Sequence, residues 1–214
     1  MTGKLLKTLW AGIPLLLSTL LMARETAPFD FYVLSLSWSP EYCVIRPEDR
    51  QCGRGYGFVL HGLWPQYEKG WPQNCGAEKL SKPLLQQYPA LYPSEKLAFH
   101  EWSKHGTCSG LAPEAYLQLS QQLKQSFKTP VELDHLIQPL RINARQLSQS
   151  IVAANPHLNI EALAFLCTGG GRFLQEIHVC YDKQGVTPIS CSSEMQRQSL
   201  KSCGQKDFLI RNVR

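Results

Sequence analysis

Apolar positions along the chain follow the two-residue period of β-strands in some segments and the helical period in others. In residues 32–38 every second residue is large and apolar, and this period predicts a first strand. The apolar run 58–60 predicts a second strand that ends at His61, because Gly62 and Pro65 follow it closely. Two further runs, 163–167 and 174–181, predict strands separated by a three-glycine turn.

Helical spacing dominates the middle of the chain. Residues 99–105 predict a helix that Gly106 stops, and Pro113 opens a second helix with apolar residues three or four apart. Asn143 and Gln146 form the pattern of a capping box for a third helix. Between residues 65 and 95, five prolines predict an irregular segment with a short helix near 84–88.

These elements predict an α+β fold, with a central antiparallel sheet and flanking helices. The length of 214 residues suits a single domain. The composition, 43% hydrophobic and 18% charged, excludes a disordered chain. A formal net charge of +5 permits a polyanionic partner without demanding one.

The amino terminus has the pattern of an export signal. Lys4 and Lys7 precede an apolar stretch, 9–22, which is short for a membrane span. We predict that residues 1–23 are a cleaved signal peptide and that residues 24–214 form a secreted or periplasmic catalytic domain without membrane contact. Leu21 fits the small-x-small cleavage rule poorly, so an uncleaved anchor is the alternative.

Eight cysteines follow this segment, an even number that predicts four disulfides in an oxidising compartment. Eight cysteines allow 105 pairings, so their number alone selects none. No C-x-x-C pair is present, which argues against a zinc site.

Two short segments carry the chemistry: HGLWPQ, residues 61–66, and HEWSKHGTC, residues 100–108. On a helix that advances about 100° per residue, His100, Lys104, Glu101 and His105 lie at about 0°, 40°, 100° and 140°. Four ionisable side chains would thus share one face. Such a mixture is costly to bury for packing alone, so it indicates a site.

A metal hydrolase is the first alternative for this helix. Zinc-binding helices place two histidines four residues apart, whereas His100 and His105 are five apart and diverge by about 140°. Lys104 beside them would also repel a cation. We therefore predict no metal ligands and no cofactor.

Metal-free cleavage of a phosphodiester fits these residue types better. It needs a base for the attacking hydroxyl, an acid for the leaving oxygen and positive charge at the phosphate. Two histidines and a lysine supply these groups near neutral pH. The 2′-OH of RNA provides an internal nucleophile that DNA lacks, so the predicted substrate is single-stranded RNA and not DNA.

Together the two segments resemble the paired signature motifs of the ribonuclease T2 family, which are secreted acid endoribonucleases. The resemblance covers about residues 31–203, and the export signal and eight cysteines strengthen it. The sequence has no N-x-S/T glycosylation site, which favours a bacterial-type member. It implies an α+β fold and two-step chemistry. Transesterification gives a 2′,3′-cyclic phosphate, and slower hydrolysis then gives a 3′-phosphate.

The resemblance also implies roles for individual residues. His61 corresponds to the general acid and His105 to the general base. Glu101 and Lys104 correspond to the groups that stabilise the transition state, and His100 to a group that positions the phosphate.

Other implications of the resemblance concern the substrate and the disulfides. Trp64 falls near the base-stacking site, although core packing is an equal alternative. Gln66 stands where some relatives have an acidic residue that reads the base, so base preference does not carry over. The implied pairings are Cys43–Cys52, Cys75–Cys108, Cys167–Cys203 and Cys180–Cys191.

The chain is therefore predicted to be a monomeric, metal-independent endoribonuclease. A catalytically silent RNA-binding or cytotoxic relative is the alternative. The intact set His61, Glu101, Lys104 and His105 argues against that alternative.

Overall fold

The computed structural model describes residues 28–204 and 206–213, so the predicted signal peptide lies outside the described residues. The strands are β1 (Phe31–Trp38), β2 (Phe58–Gln66), β3 (Leu140–Ile142), β4 (Leu163–Thr168), β5 (Phe173–Tyr181) and β6 (Phe208–Ile210). The α-helices are α1 (Ser39–Ile45), α2 (Lys82–Leu85), α3 (Glu95–Lys104), α4 (Pro113–Ser126), α5 (Ala144–Ala154) and α6 (Ser193–Ser202).

The strands form one six-stranded sheet in the order β2-β1-β5-β6-β3, with β4 paired to β5. Every pairing is antiparallel except that of β5 with β6, which join in parallel at Phe173 and Leu209. The prediction of an α+β fold is confirmed, and this one parallel contact makes the sheet mixed.

Side chains alternate between the two faces of the sheet along each strand, and the two faces differ in character. Leu34 and Leu36 of β1, with Ile177 and Val179 of β5, point into the main hydrophobic core. That core also takes the apolar stripes of α4 and α5, including Tyr116, Leu117, Leu147 and Ile151. The opposite face carries a smaller apolar cluster beside the disulfide of Cys180 and also carries polar residues.

Strand β2 does not end at His61, and this prediction is wrong. It continues through Gly62 and Pro65 to Gln66. The strand lies at the edge of the sheet, where proline is tolerated because the N–H that it lacks is not needed for pairing with a further strand. A register shift opposite Ser35 and Leu36 absorbs the extra residue.

Helix α3 begins at Glu95, four residues before the predicted start at residue 99. The side chain of Ser94 caps it by accepting a hydrogen bond from the Leu97 N–H. It ends at Lys104, and His105 is the C-cap rather than a helical residue. Helix α2, Lys82–Leu85, likewise begins two residues before the predicted short helix at 84–88, and it ends at Leu85. The predicted capping box of Asn143 and Gln146 is confirmed.

Helix α6 has no counterpart in the sequence prediction because its face toward the sheet is polar. Ser199 and Ser202 accept hydrogen bonds from the backbone N–H groups of Phe165 and Cys167, both at 2.8 Å. A helix held by hydroxyl groups lacks the apolar stripe that marks a helix in a sequence.

The structure contains four disulfides: Cys43–Cys52, Cys75–Cys108, Cys167–Cys203 and Cys180–Cys191. These are the pairings that the family resemblance implied. The second one ties the segment after β2 to the turn that follows α3. In the same place the Asn74 N–H donates to the Lys104 carbonyl at 2.9 Å.

Replacing both Cys75 and Cys108 by serine is expected to lower the free energy of unfolding by about 2–5 kcal/mol. The bridge closes a loop with a sequence separation of 33, so its loss frees a long segment of the unfolded chain. Chemical denaturation measures the change. The matched control replaces Cys43 and Cys52, which are separated by only 9 and should cost less. A larger loss in the control would contradict the expectation.

Candidate active site

The site lies on the open face of the sheet, where polar side chains replace apolar ones on the two central strands. Ser35 of β1 lies opposite His178 of β5, and Ser37 lies opposite Glu176. All four residues are buried. The alternation that sends Leu36 and Ile177 to the core sends these four residues to the site.

His61 is the residue that the register of β1 with β2 skips, because Ser35 pairs with Gly62 and Leu36 with Leu60. A β-bulge of this kind turns one side chain away from the regular alternation. The His61 ring lies against β5, with Nδ1 2.8 Å from Oε1 of Glu176. Its side chain is 34% exposed, so part of the ring remains accessible.

Glu101 reaches the same face from α3. It is buried, and its Oε2 accepts a hydrogen bond from the indole Nε1 of Trp64 at 2.6 Å. Its Oε1 lies 3.7 Å from Nε2 of His61. This carboxylate therefore joins the helical motif to the strand motif, which are separated in sequence.

Trp64 is the centre around which the imidazole rings pack. Its ring centroid lies 5.0 Å from that of His61, 5.3 Å from that of His105 and 5.4 Å from that of His178. These contacts and the hydrogen bond to Glu101 give the half-buried indole a packing role. Stacking of a nucleobase on Trp64 stays a prediction.

His105 occupies the C-cap position of α3 and is 6% exposed. Its Nδ1 is buried and has no hydrogen-bond partner within the described chain. Burial, and then the positive charges of Lys104, His61 and His100, lower the pKa of His105 to about 3. The neutral form of this ring is therefore strongly favoured near neutral pH.

The pKa of His61 moves in the opposite direction. Burial alone lowers the pKa, but the hydrogen bond and charge of Glu176, together with the charge of Glu101, outweigh it and raise the pKa above its ordinary value. Lys104 opposes this effect weakly. Two histidines that pack against one indole ring are thus held in opposite protonation states near pH 6, with His61 charged and His105 neutral.

Burial also raises the pKa of Glu101, against the lowering effects of His61 and of the Trp64 hydrogen bond. The neutral acid becomes more accessible as the pH falls. In that form Glu101 can donate a hydrogen bond to a phosphate oxygen as well as accept one.

The helical face predicted from the sequence is divided in the structure. Glu101 is buried beside Ala98 and Trp102, whereas His100 is exposed and Lys104 is half-buried. The prediction that all four ionisable groups share one helical face is therefore wrong: Glu101 lies on the buried side of α3, where the hydrogen bond from Trp64 compensates its burial, and His105 lies at the C-cap. His100 and Lys104 are near enough for their charges to act on His105.

Sequence reasoning missed Glu176, whose carboxylate receives hydrogen bonds from both His61 and His178. The polar residues that alternate with apolar ones on β1 and β5 were the available signal, because they mark a buried face that is not core. His178, on the same strand as Glu176, is buried in the sheet and forms its hydrogen bond with this carboxylate. Throughout residues 28–204 and 206–213, no three His, Cys, Asp or Glu side chains are grouped so that they could hold a metal.

Substituting Gly62 with alanine is expected to separate Trp64 from Glu101. A Cβ atom at residue 62 would lie 2.2 Å from Nε1 of Trp64 and 2.3 Å from Oε2 of Glu101. Overpacking of this kind costs about 1–3 kcal/mol of unfolding free energy. We expect kcat to fall by about tenfold or more, the equivalent of at least about 1.4 kcal/mol in the barrier.

The matched control for this variant is Gly76→Ala, whose Cβ would meet Thr107 at an ordinary 3.6 Å. Denaturation curves and steady-state kinetics of both variants make the comparison. Wild-type values for Gly62→Ala would show that the close approach at this glycine is unimportant.

Comparisons with known proteins identify ribonucleases as relatives of this chain. The model of the Ribonuclease T2 family matches residues 29–191. A ribonuclease of Aeromonas hydrophila is 43% identical over 198 residues, which are 89% of each chain. A probable ribonuclease of Haemophilus influenzae is 33% identical over 78% of this chain and 63% of its own length.

Solved structures support the same fold. RNase NT in complex with 5′-AMP matches with a TM-score of 0.57 and 26% identity, covering 77% of this chain and 91% of that one. A variant of RNase MC1 in complex with 5′-UMP matches with a TM-score of 0.66, covering 84% and 97%. At 20% identity, the second likeness concerns the fold alone.

Proposed function

The chain belongs to the ribonuclease T2 family and is an RNA endonuclease, and we propose that its residues divide the reaction as follows. His105 takes the proton from the 2′-OH, and the 2′-oxygen attacks phosphorus. His61 donates its proton to the leaving 5′-oxygen. The products are a 2′,3′-cyclic phosphate and a free 5′-OH.

The second step reverses these roles. His61, now neutral, takes a proton from water, whose oxygen attacks the cyclic phosphate. His105, now charged, returns its proton to the departing 2′-oxygen. The product is a 3′-phosphate, and both histidines regain their starting states.

The remaining groups stabilise the negative charge that builds up on the phosphate. Lys104 supplies positive charge, and Glu101 in its neutral form supplies a hydrogen bond. His100, exposed beside them, orients the phosphate as it enters. Because the nucleophile is the 2′-OH, the proposed substrate is single-stranded RNA, and DNA is not cleaved.

One observation carries this division of roles: the fold raises the pKa of His61 and lowers that of His105. A general acid must start protonated and a general base must start neutral. Near pH 6 the chain meets both conditions. The alternative of a silent RNA-binding relative is not favoured, because such a protein would not need opposite protonation states in two neighbouring histidines.

The test uses residues 24–214, a short single-stranded RNA and excess EDTA. A parallel RNA strand carries a 2′-deoxy sugar at one step, and mass spectrometry identifies the ends. We expect 2′,3′-cyclic phosphate ends at the RNA steps and an intact deoxy step. Cleavage at the deoxy step, or loss of cleavage with EDTA, would refute the roles given to His61 and His105.

The proposal extends to location and assembly. Four disulfides suit an oxidising compartment, and none of the helices in the described segments is long and apolar enough to cross a membrane. Residues 1–23 would direct export, and the mature protein would act as a monomer outside the cytoplasm. Amino-terminal sequencing and light scattering of the exported protein test these two points.

A further inference from the structure

We infer that Glu176 on β5 is the positioning residue for His61, an inference that rests on the proposed function. Its carboxylate accepts the Nδ1 proton of His61, fixes the tautomer that directs Nε2 to the substrate, and keeps the imidazole charged until the leaving oxygen takes its proton. Glu176 itself does not touch the reacting atoms.

The carboxylate of Glu176 is buried and accepts a hydrogen bond from each of four side chains. Oε1 accepts from Nδ1 of His61 at 2.8 Å and from Oγ of Ser37 at 3.2 Å. Oε2 accepts from Nε2 of His178 at 2.9 Å and from Oγ of Ser35 at 3.1 Å. Such a set of donors satisfies both oxygens.

An ionised carboxylate is costly to bury unless hydrogen bonds or charges compensate it. Burial therefore raises the pKa of Glu176, but the hydrogen bonds from His178 and His61 and their charges outweigh burial and hold the pKa well below its usual range. Glu176 thus presents a permanent negative charge to His61 throughout the working pH range.

Strand pairing keeps this carboxylate in place. Strands β1 and β5 are central in the sheet, and their register sets Ser37 directly opposite Glu176. His61 comes instead from the bulge on the edge strand β2, where the regular alternation does not fix its direction. A rigid acceptor on β5 therefore determines the orientation of a side chain that its own strand leaves free.

The tautomer follows from the chemistry of the acceptor. An ionised carboxylate only accepts hydrogen bonds, so Nδ1 of His61 must carry a proton. Nε2, which lies 3.7 Å from Oε1 of Glu101, is then the nitrogen that exchanges a proton with substrate. The same tautomer serves the hydrolysis step, in which neutral His61 needs a free electron pair on Nε2.

Charged groups approach His61 from two elements. Glu176 lies on β5, and Glu101 and Lys104 lie on α3. His178, also on β5, reaches His61 only through their shared carboxylate. His105, past the end of α3, packs against Trp64 with their ring centroids 5.3 Å apart. Of these groups, Glu176 alone contacts Nδ1 at hydrogen-bonding distance.

The test exploits the leaving group. RNA has a poor alkoxide leaving group that needs a proton, whereas uridine 3′-(4-nitrophenyl phosphate) releases a phenolate that needs none. For Glu176→Gln, we expect kcat on RNA to fall by about 10- to 100-fold, part of the 10²–10⁴ that general acid–base catalysis supplies. The fall on the nitrophenyl substrate should be within about threefold, and KM for RNA should change little.

The pH profile gives a second readout. Removing the Glu176 charge lowers the pKa of His61, so the alkaline limb of kcat/KM on RNA should move to lower pH. The matched control is Glu41→Gln, because Glu41 is an equally buried carboxylate that binds Thr168 and Arg211 instead of His61. It should affect both substrates alike and leave the alkaline limb in place.

Two outcomes would overturn the inference: equal losses on both substrates for Glu176→Gln, or an unmoved alkaline limb. His61→Ala serves as the reference for the proposed function. If it loses equally on both substrates, His61 is not the general acid and the proposed function is wrong. If His61→Ala is selective for RNA and Glu176→Gln is not, only the positioning role is wrong.

A measurement on the unmodified protein covers the case in which Glu176→Gln does not fold. Nitrogen-15 NMR of the histidine rings at alkaline pH reports which nitrogen of neutral His61 keeps its proton. The inference requires the proton on Nδ1. A proton on Nε2 would overturn it.

Discussion

His105→Ala is expected to reduce kcat on RNA by about 10²–10⁴-fold, the value of a general base in position. The two ionisable groups that contact Trp64 beside it do not replace His105 as the base, because the raised pKa of His61 keeps that ring charged and Oε2 of Glu101 already accepts the indole hydrogen bond. Steady-state cleavage of a defined oligonucleotide measures the loss.

The His105→Ala variant should lose activity while its stability changes little. Nδ1 of His105 is buried without a hydrogen bond, so alanine removes an unsatisfied polar group together with its packing. The melting temperature should therefore change little while kcat collapses. His157→Ala, at an exposed histidine, is the control. Wild-type kcat in His105→Ala would exclude this residue as the base.

The pH dependence of the wild-type enzyme should be large and one-sided. His61 must be protonated to act as acid, and its pKa is raised, so kcat/KM should be retained below that pKa and fall about tenfold per pH unit above it. The fall should thus begin above about pH 6.5, the ordinary histidine value.

On the acid side the enzyme should keep its activity. A base with an ordinary histidine pKa would lose about 30-fold in its neutral form by pH 5. The pKa of His105 is lowered to about 3, so no such loss is expected. Glu101, whose pKa is raised by burial, gains its proton first on this side. A steep loss of kcat/KM between pH 6.5 and 5 would contradict the neutral state of His105.

Much of the site could be predicted because its residues stand in two short segments. HGLWPQ and HEWSKHGTC contain His61, Trp64, Glu101 and His105, and the structure brings all four together around the indole ring. The apolar periods likewise predicted β1, β4, β5, α4 and α5, because each of these elements buries one face in the core.

What escaped prediction depends on contacts between distant segments. Glu176 lies 115 residues from His61, and only the β1–β5 register and the bulge in β2 bring the two together. The helical wheel also misplaced Glu101, because the wheel ignores the indole donor that compensates burial on the sheet side of α3. Helix α6 was missed because serine hydroxyls attach it to β4.

The proposed mechanism depends on a fold that holds two neighbouring histidines in opposite protonation states. Titration of the histidine ring signals by NMR tests it directly in the unmodified protein, with His61→Ala and His105→Ala assigning the two resonances. We predict that His61 titrates above about 6.5, the ordinary histidine pKa, and that His105 stays neutral down to about pH 3. A His105 signal that titrates at or above the pKa of His61 would contradict the proposed mechanism.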